Sequence, residues 1–136
     1  MIDHLGITVS DYETSKEFYI KALAPLGYEL LIEVQGFAGF GLKPADGEVG
    51  FGLESYESPI ATFWMHQGEA PPHGAIHFAM TAGERSQVDA FYAAAIEAGG
   101  KDNGKPGVRE IYHPNYYGAF IFDPDGYNIE AVCHKK

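Results

Sequence analysis

Apolar and polar residues alternate at the start of the chain. Leu5, Ile7 and Val9 fall on one face and His4, Gly6 and Thr8 on the other, the two-residue period of a half-buried strand. The period then changes. Phe18, Tyr19, Ala22, Leu23 and Leu26 recur at helical spacing and predict a helix over about residues 14–26. Ser10-x-x-Glu13 ahead of it has the form of a capping box, and Pro25 and Gly27 end it. Three strand segments follow: 28–34, 37 to about 53 with a turn at 44–47, and 61–66. The later residues predict a strand at 76–82 and a helix at 87–98 that buries Val88, Phe91, Tyr92, Ala95 and Ile96 and stops at Gly99-Gly100. Strands at 108–112, 117–122 and 127–133 complete the pattern. Asp123-Pro124-Asp125-Gly126 joins the last two as a tight hairpin turn.

The chain repeats itself at an offset of 73 residues. His4 falls on His77, Thr8 on Thr81, Phe18-Tyr19 on Phe91-Tyr92, Ala22 on Ala95 and Gly27 on Gly100, with no gap across 24 positions. The reading is therefore one domain, 1–136, made of half-repeats 1–68 and 74–136 joined by the Pro/Gly linker 69–74. Each half reads strand–helix–strand–strand–strand. One helix per half covers one face of its strands, so the opposite face is left for something else.

Strand parity says which side chains point there. With Leu5, Ile7 and Val9 under the first helix, His4 faces away. With Phe78 and Met80 under the second, His77 faces away. In the last strand Ile129, Ala131 and Cys133 form the apolar set, so Glu130 faces away with Asn128 and Val132. A single strand histidine is most often solvated or hydrogen-bonded. Two symmetry-related imidazoles and a carboxylate of the same parity instead make a candidate site for Fe, Mn, Ni, Co or Zn.

Composition narrows the function. Nine Lys and Arg against nineteen Asp and Glu give a net charge of −10, the wrong sign for nucleic acid or anionic lipid. The single cysteine, Cys133, excludes an internal disulfide and a thiolate zinc site. No apolar run has the length of a membrane span, and the opening residues lack a signal-peptide pattern, so the expectation is a cytoplasmic protein. The segment VREIYHPNYYGAF is dense in polar aromatics. Arg109, Tyr112, His113, Asn115, Tyr116 and Tyr117 are candidates for the wall of a small-molecule site, with His113 and Tyr117 as catalytic groups and Arg109 as a fork for a substrate carboxylate. Trp64 and His66, of the ligands' parity, are candidates for the opposite wall. His73 and His134, in the linker and tail, read as solvated.

The opening IDHLGITVSDYETSKEFY and the closing GAFIFDPDGYNIEAV resemble the vicinal oxygen chelate superfamily of glyoxalase I, bleomycin-resistance proteins, fosfomycin-resistance enzymes and extradiol dioxygenases. The resemblance spans the whole chain. It implies an α+β fold of two tandem βαβββ modules forming an open, cupped mixed sheet with helices on the outer face, and a homodimer. It also implies a divalent metal held by His4, His77 and Glu130. The fourth family position is a Glu in glyoxalase I. Parity puts Trp64 there, and the alternative, Glu57, sits in a Ser-Pro turn. A two-His, one-carboxylate set implies dioxygenase-, lyase- or isomerase-type chemistry on an oxygenated substrate that chelates the ion. The Trp at the fourth position instead suits a dimeric binding protein without catalysis.

Overall fold

The computed structural model describes residues 2–42 and 61–136. The expected strand residues beyond 42, and Glu57, lie outside the described residues. The first module runs β1 (Leu5–Val9), α1 (Tyr12–Leu23), β2 (Tyr28–Val34), β3 (Phe37–Leu42) and β4 (Phe63–Gln67). The second runs β5 (His77–Thr81), α2 (Arg85–Glu97), β6 (Lys101–Val108), β7 (Tyr117–Phe122) and β8 (Asn128–Cys133). They form two four-stranded sheets, ordered β1-β4-β3-β2 and β5-β8-β7-β6. In each, the first strand pairs with the last in parallel and the other pairs are antiparallel. This is the expected α+β fold of two βαβββ modules, with open mixed sheets.

The apolar stripes meet in one core. Val9, Phe18, Tyr19, Phe40, Phe63 and Met65 of the first module join Val88, Phe91, Ile121 and Ile129 of the second in a single buried cluster. Each such side chain stabilises the fold by about 1.5–3 kcal/mol. The Phe63 and Phe78 rings, 5.4 Å apart, link the sheets directly.

Two local expectations change. The helix cap of α1 is Asp11, whose carboxylate accepts from the Thr14 N–H at 3.0 Å. Ser10 is released for another use: its amide and hydroxyl both donate to Asp125, 115 residues away. A capping box exists, but on α2, where the Gln87 side chain accepts from the Gly83 and Glu84 amides. The expected strand at 108–112 is instead β6 at Lys101–Val108, followed by a loop over residues 109–116. Its sequence, KDNGKPGV, is poor in strand formers. It forms because it is an outer strand, where Pro106, charged side chains and two register shifts are tolerated.

The Asp123–Gly126 turn does more than reverse the chain. Asp123 is 3% exposed and accepts from the Tyr19 hydroxyl of α1 at 2.5 Å and from the Tyr127 and Asp125 amides. Asp125 takes Ser10, and the Tyr127 hydroxyl donates to the Thr8 carbonyl at 2.6 Å. Gly126 sits at φ +87, and any Cβ there would strike the His73 ring at 2.1 Å. The hairpin is thus a clasp that joins the modules.

Candidate functional site

The open face of the second sheet carries the densest polar constellation. His77 ends the linker side of β5, and Glu130 is the third residue of β8. Although β8 pairs with β5, Glu130 is only 1% exposed. The His77 Nδ1 lies 3.0 Å from the Asn128 carbonyl oxygen. A carbonyl only accepts, so Nδ1 carries the proton and donates. The Nε2 then faces the Glu130 Oε2 at 3.3 Å, while Oε1 accepts from the Tyr116 hydroxyl at 2.7 Å. Burial raises the Glu130 pKa; the Tyr116 hydrogen bond and the His77 ring oppose that shift. Burial, and then the bond to Glu130, push the Tyr116 phenol well above its ordinary value.

Tyr116 reaches Glu130 because the second hairpin is elaborated. β2 and β3 are joined by Gln35-Gly36, both at positive φ, as in a two-residue primed turn. The equivalent β6–β7 connection is the loop 109–116, closed by the Arg109 amide on the Tyr116 carbonyl at 2.8 Å. Tyr112 packs on Tyr116 with ring centroids 4.8 Å apart and stays 61% exposed. His113 Nδ1 accepts from the Asn115 amide, and its Nε2 lies 2.9 Å from Nδ1 of His134. His134, expected to be solvated, is exposed, and it also reaches this loop, lying edge-on to Tyr116. His73, expected likewise, is exposed and lies tilted against Phe122, with ring centroids 4.4 Å apart.

Tyr117 is not with the others. It shares a face with Ala119 and Ile121, donates to Asp89 of α2 at 2.7 Å and lies under Arg85. Carried back one residue, the alternation of β7 puts the neighbouring Tyr116 on the opposite face from Tyr117. The residue that does occupy this face is Phe120, directly across from Glu130 and 6.1 Å from the His77 ring. The register of the four-residue hairpin turn was the signal that could have found it.

The remaining candidates lie on the first sheet. His4 precedes β1, and its Nδ1 is 2.7 Å from the Asp3 carboxylate, while its Nε2 has no partner among the described residues. Trp64 pairs across from Gly6 as Glu130 pairs across from Ala79, so it holds the position equivalent to Glu130. Its indole N–H donates to the Ala61 carbonyl and its ring covers Gly39, where a Cβ would approach to 2.9 Å. His66 stacks on Phe37 at 5.0 Å. Among the described residues, no three His, Cys, Asp or Glu side chains of one chain are grouped to hold an ion. The structure brings together His77 and Glu130, and it does not bring His4 to them within one chain. A cleft of about 360 Å³ between β1 and the linker, bordered by Thr8, Pro72, Ile76 and Tyr127, includes none of these three.

The comparisons with known proteins bear on this geometry. The family model of the Glyoxalase/Bleomycin resistance protein/Dioxygenase superfamily matches residues 1–131. The chain belongs to this superfamily. A glyoxalase/bleomycin resistance protein from Albidiferax ferrireducens T118 is similar in structure, with TM-score 0.74, 27% identity, and coverage of 96% of this chain and 97% of that one. A superfamily enzyme from Burkholderia phytofirmans PsJN (TM-score 0.65, 16% identity, 98% of both chains) shares the fold. So does the fosfomycin resistance protein FosX from Mesorhizobium loti, with TM-score 0.64, 13% identity, and coverage of 98% of this chain and 91% of that one. A comparison with curated proteins found no match. Among the described residues no helix is long and apolar enough to cross a membrane.

For this superfamily member Gly118 is a sensitive probe of the site. A Cβ there would lie 2.7 Å from Glu130 Oε1 and 3.2 Å from the Tyr116 ring. Both neighbours are locked, so Gly118→Ala is expected to cost about 1–3 kcal/mol. Urea unfolding of the two proteins measures it.

Proposed function

We propose that the protein is a divalent-metal-dependent enzyme of the glyoxalase/dioxygenase superfamily acting on a small oxygenated substrate, with dioxygenase-, lyase- or isomerase-type chemistry. The observation that carries this reading is the orientation of His77. Its Nδ1–H is committed to the Asn128 carbonyl, and its Nε2 and the Glu130 Oε2 face the same space at 3.3 Å. A ring nitrogen and a carboxylate oxygen so placed share either a proton or a cation between them. His4 likewise has its Nδ1 held, by the Asp3 carboxylate, with no partner on Nε2 among the described residues. The donor set fits Fe, Mn, Ni, Co or Zn.

His4, His77 and Glu130 are the proposed ligands, with His4 supplied by a second protomer of a homodimer. When bound, the ion acts as a Lewis acid on vicinal substrate oxygens. The Tyr116 hydroxyl holds Glu130 Oε1, so that Oε2 alone is directed at His77. His113, Tyr112 and Tyr116 form the proposed wall and His113 the proposed acid/base. Its Nδ1 accepts from Asn115, so Nε2 holds the proton now donated towards His134. Trp64 and His66 would line the opposite wall. With Trp64 in the place of a fourth ligand, the second reading is a small-molecule binding protein without catalysis.

Calorimetric titration of protein free of a polyhistidine tag with Mn²⁺, Co²⁺, Ni²⁺ and Zn²⁺ tests the reading. Wild type is expected to take one ion per chain, and Glu130→Ala none. Equal uptake by the two proteins, or none by wild type, would leave the binding-protein reading in place.

A further inference from the structure

Arg109 is held in a way that a surface arginine has no need of. It leaves β6 and folds back along that strand, with its Nη2 donating to the Lys105 carbonyl at 2.6 Å. Its guanidinium lies over the Phe120 ring, 5.4 Å from Cζ to the centroid. The space for this is made by two glycines. A Cβ on Gly107 would approach Nη1 to 3.0 Å, and one on Gly104 would approach Nη2 to 3.4 Å. Both belong to a strand that tolerates them because it is on the sheet edge.

The head group is pre-oriented and under-used. Among the described residues, one of the five N–H donors of the guanidinium is engaged and no carboxylate is within ion-pair range of it. The chain carries a net charge of −10, so a fixed cation that acts on the Glu130 carboxylate without pairing to it, or to any other carboxylate among the described residues, departs from its surroundings. Phe120 also neighbours the other side of the face, 6.1 Å from the His77 ring. Arg109 and His77 are therefore within about 11.5 Å of each other across one aromatic ring. The remaining donors present the planar fork that fits a carboxylate.

We propose that Arg109 anchors an anionic substrate: a small organic carboxylate whose acid group pairs with the guanidinium while its body lies across Phe120 towards His77 and Glu130. This names the substrate class for the site proposed above and rests on that reading for the second end of the ligand. Anchoring of the acid group itself needs no metal, which makes the two separable. Gly104 and Gly107 serve as positioning residues that keep the slot clear.

The test uses chelator-treated, metal-free protein and NMR titration with acetate, benzoate and inorganic phosphate, each against a neutral amide (acetamide, benzamide) as control. Wild type is expected to bind benzoate at least tenfold more tightly than benzamide, with shifts at Phe120 and Tyr116. Arg109→Gln is expected to lose that preference and Arg109→Lys to keep part of it. Gly107→Ala leaves the charge in place and displaces the guanidinium, and is expected to behave as Arg109→Gln. Phosphate binding as tight as benzoate would overturn the carboxylate assignment. If no anion binds wild type more tightly than Arg109→Gln at 20 mM, or if Gly107→Ala binds as wild type does, the proposal fails. Metal uptake by the same wild-type preparation is scored separately. Uptake without anion preference sinks this inference alone, and anion preference without uptake sinks the metal reading alone.

Discussion

Mixing His4→Ala and His77→Ala protomers is expected to restore a metal site that neither variant has alone. In a dimer with twofold symmetry, each site would take His77 and Glu130 from one chain and the partner's His4. One chain carrying His4→Ala still offers His77 and Glu130, and one carrying His77→Ala still offers His4. Their heterodimer has one intact site and one site lacking both histidines. A randomly reassorted equal mixture would thus regain about a quarter of the wild-type sites. The absorption of bound Co²⁺ after unfolding and refolding the mixture together measures this. The expectation rests on the distribution of donors: His4 goes with the first sheet, His77 and Glu130 with the second, and no trio gathers among the described residues of one chain. Failure to regain Co²⁺ absorption, with each variant folded, rejects a site shared between chains.

Asp123→Ala is expected to cause the largest loss of stability, about 3–4 kcal/mol. It removes the acceptor for the Tyr19 hydroxyl, which is fully buried, and for the Tyr127 and Asp125 amides. A buried donor left without a partner costs about 1–3 kcal/mol. The sign of the pH effect is specific. Burial, the largest influence, raises Asp123 above its ordinary 3.8, against the Tyr19 and Tyr127 hydrogen bonds that lower it. A carboxyl with a raised folded-state pKa contributes stability that is complete below its unfolded value and is lost as pH rises through the folded value. Stability is expected to fall from about pH 4 upwards as Asp123 ionises. Glu130 adds to the same slope, since burial raises it too. Asp123→Asn keeps the shape and removes the titration, so the difference in slope between it and wild type isolates Asp123. Urea midpoints across pH 4–8 measure it, and parallel profiles would contradict the assignment.

Much of this was legible in the residues. The two-residue period fixed the inward sets of β1 and β8, and the 73-residue repeat identified His4 and His77 as counterparts before any coordinates. Parity also placed Trp64 where the register puts it. What escaped had physical reasons. β6 forms against its own propensity because it borrows order from β7, so KDNGKPGV looks like a loop. Tyr117 reads with Tyr116 by adjacency, although the alternation that begins in β7 puts the two on opposite faces. Ser10 reads as a cap because its partner, Asp125, is 115 positions away. His134 reads as a solvated tail and is exposed; what nothing local announces is its contact with the loop 109–116. Propensity and period are local signals, and each of these contacts is long-range.

The clasp has a consequence for how the halves are held. The linker 69–74 is the covalent tie, but the Tyr127 hydroxyl grips Thr8 across 119 residues, Asp123 grips Tyr19 across 104, and both modules share one core. A chain nicked in the linker therefore has reason to stay assembled, its two fragments bound as a non-covalent pair. In evolutionary terms, two separate copies of a half-length ancestor could have met through the same surfaces before fusion. Joining them would then have changed the effective concentration of an interface that already existed.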